Sequence, residues 1–360
     1  MRRRSVIVIC FIASFFTILA GCFQGEQSME EIDVPEEAET LDNLEESETT
    51  KEEDQTNEEE DNVTEDTEMI PRQLYLLDSN GMVAAQTIEL PKPESNEVAH
   101  QVLTYLIKDG PVTPLLPNGF QAVLPSGTEV LGLNLDEDGT MTIDLSEEFT
   151  NYEPEDELNI LQSMTYTLTQ FENVDRIKLQ INGEPHSEMP VNNTPISKGF
   201  SRANGINIVN SNAVDLINSE AVTMYYPAEF NENRYFIPVT QYVEKKNENI
   251  YSSIVESLIE GPTYNNNVLH VFNPDTNLID DPKLNKGILE LVFNENILMD
   301  PENKIISDEV VETLVRTLTE HEEVEAVDIK VDNIEELVNE NGEVYNEPVT
   351  NQSFSTTEKL

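Results

Sequence analysis

The stretch TLTQFENVDRIKLQI at residues 167–181 returns as TLTEHEEVEAVDIKV at residues 317–331, an offset of 317 − 167 = 150 residues. Each version closes an apolar helical stripe, passes through a polar turn, and enters a strand. That strand alternates Ile177, Leu179 and Ile181, or Val327, Ile329 and Val331, with polar residues. The matches fall on core positions, so a fold is duplicated rather than a surface motif. A period of this length is far too long for a solenoid unit. Two tandem domains are expected.

Working outward from the first copy, RQLYLLD and MVAAQTIEL read as strands around the turn Ser79-Asn80-Gly81. Val98, Val102, Leu103 and Leu106 then fall at helical spacing, with Gly110-Pro111 as the stop through a left-handed glycine cap. TEVLGLNL and TMTIDL form a hairpin around DEDG, and Leu158, Leu161, Met164, Leu168 and Phe171 line a second helix. The second copy follows the same order. Tyr225 answers Tyr75; Ile250, Ile254 and Leu258 mark a helix ended by Gly261-Pro262; ILELVF replaces TMTIDL. Val311, Leu314 and Leu318 line the last helix, with Ser307 as its expected N-cap. The class is α+β: two tandem small two-layer domains, each a mixed sheet with helices on one face, behind an acidic spacer.

The organisation read from the chain is a signal peptide at 1–21, an acidic linker at 22–70 and a first domain at 71–182. An Asn-, Ser- and Pro-rich interdomain linker at 183–220, a second domain at 221–335 and a frayed tail at 336–360 follow. MRRRSVIVICFIASFFTILAGC places three arginines before a short apolar run and Gly21-Cys22. That is the layout of a secretory leader, and LAGC resembles a bacterial lipobox, which implies cleavage before Cys22 and a diacylglycerol on its sulfur. The protein is then expected on the extracytoplasmic face of the cell membrane, held through the lipid on Cys22. From Glu26 to Glu68 there are 21 acids and one lysine, a composition that stays extended and solvated.

The chain of 360 residues carries 71 acidic against 20 basic residues and a net charge of −51, which repels phosphate backbones and argues against a nucleic-acid partner. Chemistry is sparse. The four histidines, His100, His186, His270 and His321, make no metal-ligand pair, and His100 and His321 read as surface residues on or beside helices. Asn134, Asp136, Asp138 and Gly139 imitate the start of a calcium loop, but Leu145 stands where a closing Glu should be, and a tight turn explains the pattern. No enzyme, metal or cofactor is expected. The proline-bounded stretch 111–127 presents Leu115, Leu116 and Phe120 as a candidate protein-interaction loop, whereas Val123 and Leu124 read as core.

LIKDGP, LPSGTEVLGLNLDEDGTMTIDLSEEF and TYTLTQFENVDRIKLQINGE together resemble the GerMN domain family over the first copy. The second copy resembles it more weakly: LIEGP and TLTEHEEVEAVDIKV are present, but NPDTNLIDDP replaces the LPSGT element. The resemblance implies ring-building-type α/β units in endospore formation and germination. It also implies protein partners in the channel-like complex between mother cell and forespore, and a homo-oligomeric ring. A scaffold lipoprotein is the leading expectation. A spore peptidoglycan-binding or remodelling protein and a solute-binding lipoprotein are the alternatives.

Overall fold

Alternating apolar residues and a tight turn build the first element pair, β1 (Met69–Asp78) and β2 (Val83–Pro91), an antiparallel hairpin in register from Met69↔Pro91 to Leu77↔Val83. The computed structural model describes residues 68–93, 97–209, 217–245, 249–262 and 268–354. The signal peptide, Cys22 and nearly all of the acidic linker lie outside them.

After α1 (Val98–Thr104) and the short β3 (Phe120–Gln121), the hairpin of β4 (Val130–Leu135) and β5 (Thr140–Leu145) forms as expected around Asp136–Gly139. Helix α2 (Glu157–Leu168) crosses to β6 (Arg176–Ile181), which pairs parallel with β5. β7 (Glu184–His186) and β8 (Phe200–Ser201) extend this sheet from β6. The second copy opens with the hairpin β9 (Ser219–Phe230) and β10 (Asn233–Glu244), followed by α3 (Ile250–Glu260). Its mixed sheet comprises β11 (Lys283–Asn285), β12 (Ile288–Phe293) and, after the small β13 (Leu298–Asp300) and β14 (Ile305–Ile306) pair and α4 (Asp308–Leu318), β15 (Ala326–Val331). β15 lies parallel to β12, as β6 does to β5.

Several expectations change in detail. Helix α1 stops at Thr104, before Gly110, and the left-handed residue is Asp109 with φ 59°. In the second copy Gly261 does cap α3, with φ 83°. Helix α2 is not a one-sided amphipath. Glu157 and every residue from Ile160 to Leu168 are buried, because the first hairpin, the mixed sheet and the chain after β6 enclose it. Leu158, placed in the stripe from spacing, is exposed instead.

The stretch expected to be a linker is folded through Val209: Met189, Ile196, Phe200 and Ile206 are buried. Its anchor is Glu157, a fully buried carboxylate at the start of α2. Glu157 accepts hydrogen bonds from the Tyr152 hydroxyl (2.9 Å), the backbone N–H groups of Val191 (3.3 Å), Asn192 (2.6 Å) and Thr194 (3.0 Å), and the Thr194 hydroxyl (2.5 Å). Burial pushes this carboxyl up, but the bonds from Thr194, Asn192 and Tyr152 together hold it below its ordinary value. The second copy builds the same junction with the roles reversed. There the later segment supplies the carboxylate: Glu340 accepts from the Ser307 hydroxyl (2.9 Å) and the Asp308 N–H (3.0 Å). Ser307 therefore does not cap α4 with its own oxygen. The expected frayed tail is also folded as far as Phe354, since Val349 pairs with Val327 and Leu337 is buried.

Candidate functional site

A two-stranded hairpin leaves an unpaired backbone edge, and both copies cover it with a helix carrying hydroxyls. Thr167 Oγ1 accepts the Tyr75 N–H at 3.0 Å, and Thr317 Oγ1 accepts the Tyr225 N–H at 3.0 Å. Ser163, one turn before Thr167, donates to the Tyr75 carbonyl, whereas Thr313, its counterpart, has a buried hydroxyl with no partner among the described residues. The threonine of the repeated TLT is thus a backbone acceptor in each domain.

The two copies meet through equivalent faces. The Asn207 side chain donates to the carbonyls of Val83 (2.7 Å) and Pro238 (2.8 Å) and accepts the Val83 N–H at 2.9 Å, so it bridges β2 to β10. Its own N–H donates to Gln162 Oε1 on α2. Pro238 lacks an N–H, so β10 offers only an acceptor there. At the other end of the junction Tyr235 donates to buried Asp78 at 2.9 Å and stacks edge-on against Phe120, with ring centres 4.8 Å apart. Gly119, at φ 86°, lies so close to Phe230 that a Cβ would collide with the ring.

Arg202 holds the centre. It donates through Nε to Thr169 Oγ1 (2.9 Å), reaches Glu320 (3.4 Å) from the other copy, and stacks over Tyr166 with its guanidinium carbon 4.6 Å from the ring centre. Glu320 also accepts the Tyr225 hydroxyl at 2.6 Å. Burial alone would pull the Arg202 guanidinium down, but the phenol oxygens around it and the Glu320 carboxylate reverse the shift and hold it above its ordinary value. Burial, reinforced by Glu320, pushes the Tyr225 phenol up.

Beside this junction opens a cleft of about 1030 Å3. Tyr75, Ala85 and Gln86 from the first hairpin line it opposite Tyr225, Tyr235 and Phe236, which stand 150 residues later (225 − 75, 235 − 85 and 236 − 86). The first-copy wall is amide-rich, with Gln73, Gln86 and Gln170, and Arg202 is its one charged group. The second-copy wall is charged. Arg234 pairs with Glu309 (2.5 Å) and Arg316 with Glu312 (2.6 Å). Burial pushes the Glu312 carboxyl up, and Arg316 offsets only part of that. Among the described residues no group of three or more His, Cys, Asp or Glu is placed to hold a metal ion.

The residues singled out from sequence are scattered. Leu115 and Leu116 are half-buried and pack against the core, whereas Phe120 is buried against Tyr235 and belongs to the junction between copies rather than to an open loop. Val123 and Leu124 are core, as expected. The Asp138 region is a hairpin turn, in which Asp138 Oδ1 accepts the Thr140 N–H and Asn134 donates to Asp136. His321 is not a plain surface residue: it packs edge-on against Tyr251 at 5.6 Å, and burial lowers its pKa. Arg202, Asn207 and Glu157 were missed. The only signal for the first two was a lone arginine and a lone Gly-Ile-Asn inside a stretch that otherwise reads as linker.

Comparison with known proteins agrees with the repeat. The family described as "Germane: Sporulation and spore germination" matches residues 73–187 and 223–337, two spans offset by 223 − 73 = 150 residues. The chain is 41% identical over 349 residues to "Spore germination protein GerM" of Bacillus subtilis (strain 168), covering 94% of each chain. The solved tandem GerMN domains of the sporulation protein GerM from Bacillus subtilis are 43% identical, with a TM-score of 0.71 over 78% of this chain and 97% of that one. The chain belongs to the Germane family of sporulation and spore germination proteins.

Proposed function

We propose that this protein is a non-enzymatic scaffold lipoprotein of endospore formation and germination. In this reading the lipid on Cys22 holds it to the extracytoplasmic face of the cell membrane, in the space between mother cell and forespore, where it joins the channel-like complex. One observation carries the reading. Three groups with altered environments, Glu157, Arg202 and Tyr225, are each engaged in fastening a segment or the two copies together. Strongly perturbed groups mark catalytic sites when they converge on an open cleft with reacting geometry. Here Glu157 does not line the cleft, and Arg202 and Tyr225, which border it, are both bonded to Glu320.

The contact between the copies favours a particular kind of assembly. Equivalent strands β2 and β10 face each other, so the contact is pseudo-isologous and closes with two bodies, whereas a ring needs head-to-tail contacts that propagate. A homo-oligomeric ring would have to be built from the outward surfaces. The edge strand β4, with exposed Leu131 and Leu135, is the longest such edge, against the three residues of β11 in the second copy.

The test has two arms. Cross-linking in sporulating cells and recovery of the tagged chain should bring down the same membrane-complex proteins in repeated trials. Loss of all partners together with release of fragments from purified spore wall would replace the scaffold with a wall-acting protein. Fatty-acid labelling should mark the wild type and not Cys22→Ser; label retained by Cys22→Ser would remove the anchor.

A further inference from the structure

We propose that the cleft between the two copies binds an extended, lysine- or arginine-rich segment of a partner protein. The proposal deepens the scaffold reading and rests on it. At about 1030 Å3 the cleft lies at the upper end of the range for small-molecule sites, which suits a chain segment better than a metabolite.

The first-copy wall offers peptide-matching groups. Gln86 lines the cleft and is nine-tenths buried, yet its carboxamide oxygen has no hydrogen-bond partner among the described residues; the amide nitrogen donates only to the neighbouring Ala85 carbonyl. That oxygen is open to the cleft, where a peptide N–H reaching it would take the place of water. Gln73 beside it makes no side-chain hydrogen bond among the described residues.

The second-copy wall selects for charge. Asp308, Glu309, Glu312, Glu320 and Glu340 line the cleft against Arg202, Arg234 and Arg316, so carboxylates outnumber guanidiniums by 5 − 3 = 2. Glu312 is partly desolvated with one cation beside it, and an incoming ammonium would stabilise its ionised form. The net charge of −51 steers basic segments toward the chain and gives a neutral glycan no such advantage.

The full chain in detergent is titrated, by fluorescence anisotropy at physiological salt, with a labelled eight-residue peptide alternating lysine and asparagine. Saturable one-to-one binding is expected, weakened tenfold or more by Glu309→Gln/Glu312→Gln. Glu153→Gln/Glu155→Gln, which removes the same charge from exposed residues, should change it less than twofold. Gln73→Leu tests the opposite wall independently of any folding defect in the acidic pair and should weaken binding at least threefold. Equal weakening by both charge pairs means bulk electrostatics and overturns the site. So does absence of peptide binding, or displacement of the peptide by a tetramer of N-acetylglucosamine. If cleft variants recover the cellular partners as well as wild type does, the cleft proposal falls while the scaffold reading stands.

Discussion

Replacing Glu157 with Gln tests how the segment after β6 is held. The carboxylate accepts five hydrogen bonds and donates none, with Oε2 serving Tyr152, Val191 and Asn192 and Oε1 serving Thr194. A glutamine must turn its NH2 toward one of these groups. Facing Thr194 is cheaper, because the hydroxyl can rotate to accept while the Thr194 N–H cannot. One donor is then orphaned, at about 1–3 kcal/mol, and the remaining bonds lose charge assistance, so the total comes to roughly 2–4 kcal/mol. For a protein of this size that corresponds to a fall in Tm of roughly 4–16 °C.

The pH dependence has a definite sign. The folded-state pKa lies below the ordinary 4.5, so the contribution is complete above that value and is lost as pH falls through the lower folded-state value. The gap between wild type and Glu157→Gln should therefore narrow on acidification below pH 4.5. Urea unfolding across pH, with hydrogen exchange at residues 189–196, measures both effects. A loss under about 1 kcal/mol at pH 7 would refute the reasoning, as would a gap that widens on acidification.

Thr167→Val and Thr317→Val should each cost about 1–3 kcal/mol, by leaving the N–H of Tyr75 or Tyr225 without its acceptor. Chemical denaturation measures this, and values near zero would mean water replaces the hydroxyl. Gly119→Ala should destabilise by about 1–2 kcal/mol through left-handed strain, with a further ~1–3 kcal/mol for displacing Phe230. Its hydrogen-exchange effect should concentrate at β3 and the turn between β9 and β10. Asn207→Ala removes the bridge between β2 and β10 and should cost about 2–4 kcal/mol, since it leaves the Val83 N–H and two carbonyls unpaired. Small-angle scattering should then show a larger radius of gyration than wild type, and an unchanged profile would mean that the other contacts, Arg202 with Glu320 and Tyr235 with Asp78 among them, suffice to hold the copies together.

Much of each domain was legible because it depends on neighbours in sequence. Alternation at Ile177, Leu179 and Ile181 identifies a strand wherever it occurs, and all three residues are buried. Gly261-Pro262 ends α3 through a local backbone geometry. The site was far less legible, because its partners lie far apart in the chain. Arg202 meets Glu320 across 118 residues, and Tyr235 meets Asp78 across 157. Composition even misdirected the reading of residues 183–209. Asn, Ser and Pro are turn formers, and nothing local reveals that a buried carboxylate on α2 collects their backbone N–H groups.

The sequence by itself determined that one fold is written twice, where its main strands and helices run, and most of the apolar residues they bury, since periodicity and turn chemistry act over a few residues. Only the tertiary structure decided that the copies meet face to face, that Asn207 and Arg202 fasten them, and that a polar cleft opens beside the join. Those outcomes follow from the removal of polar groups from water, which obliges each to find a partner in space wherever that partner lies along the chain.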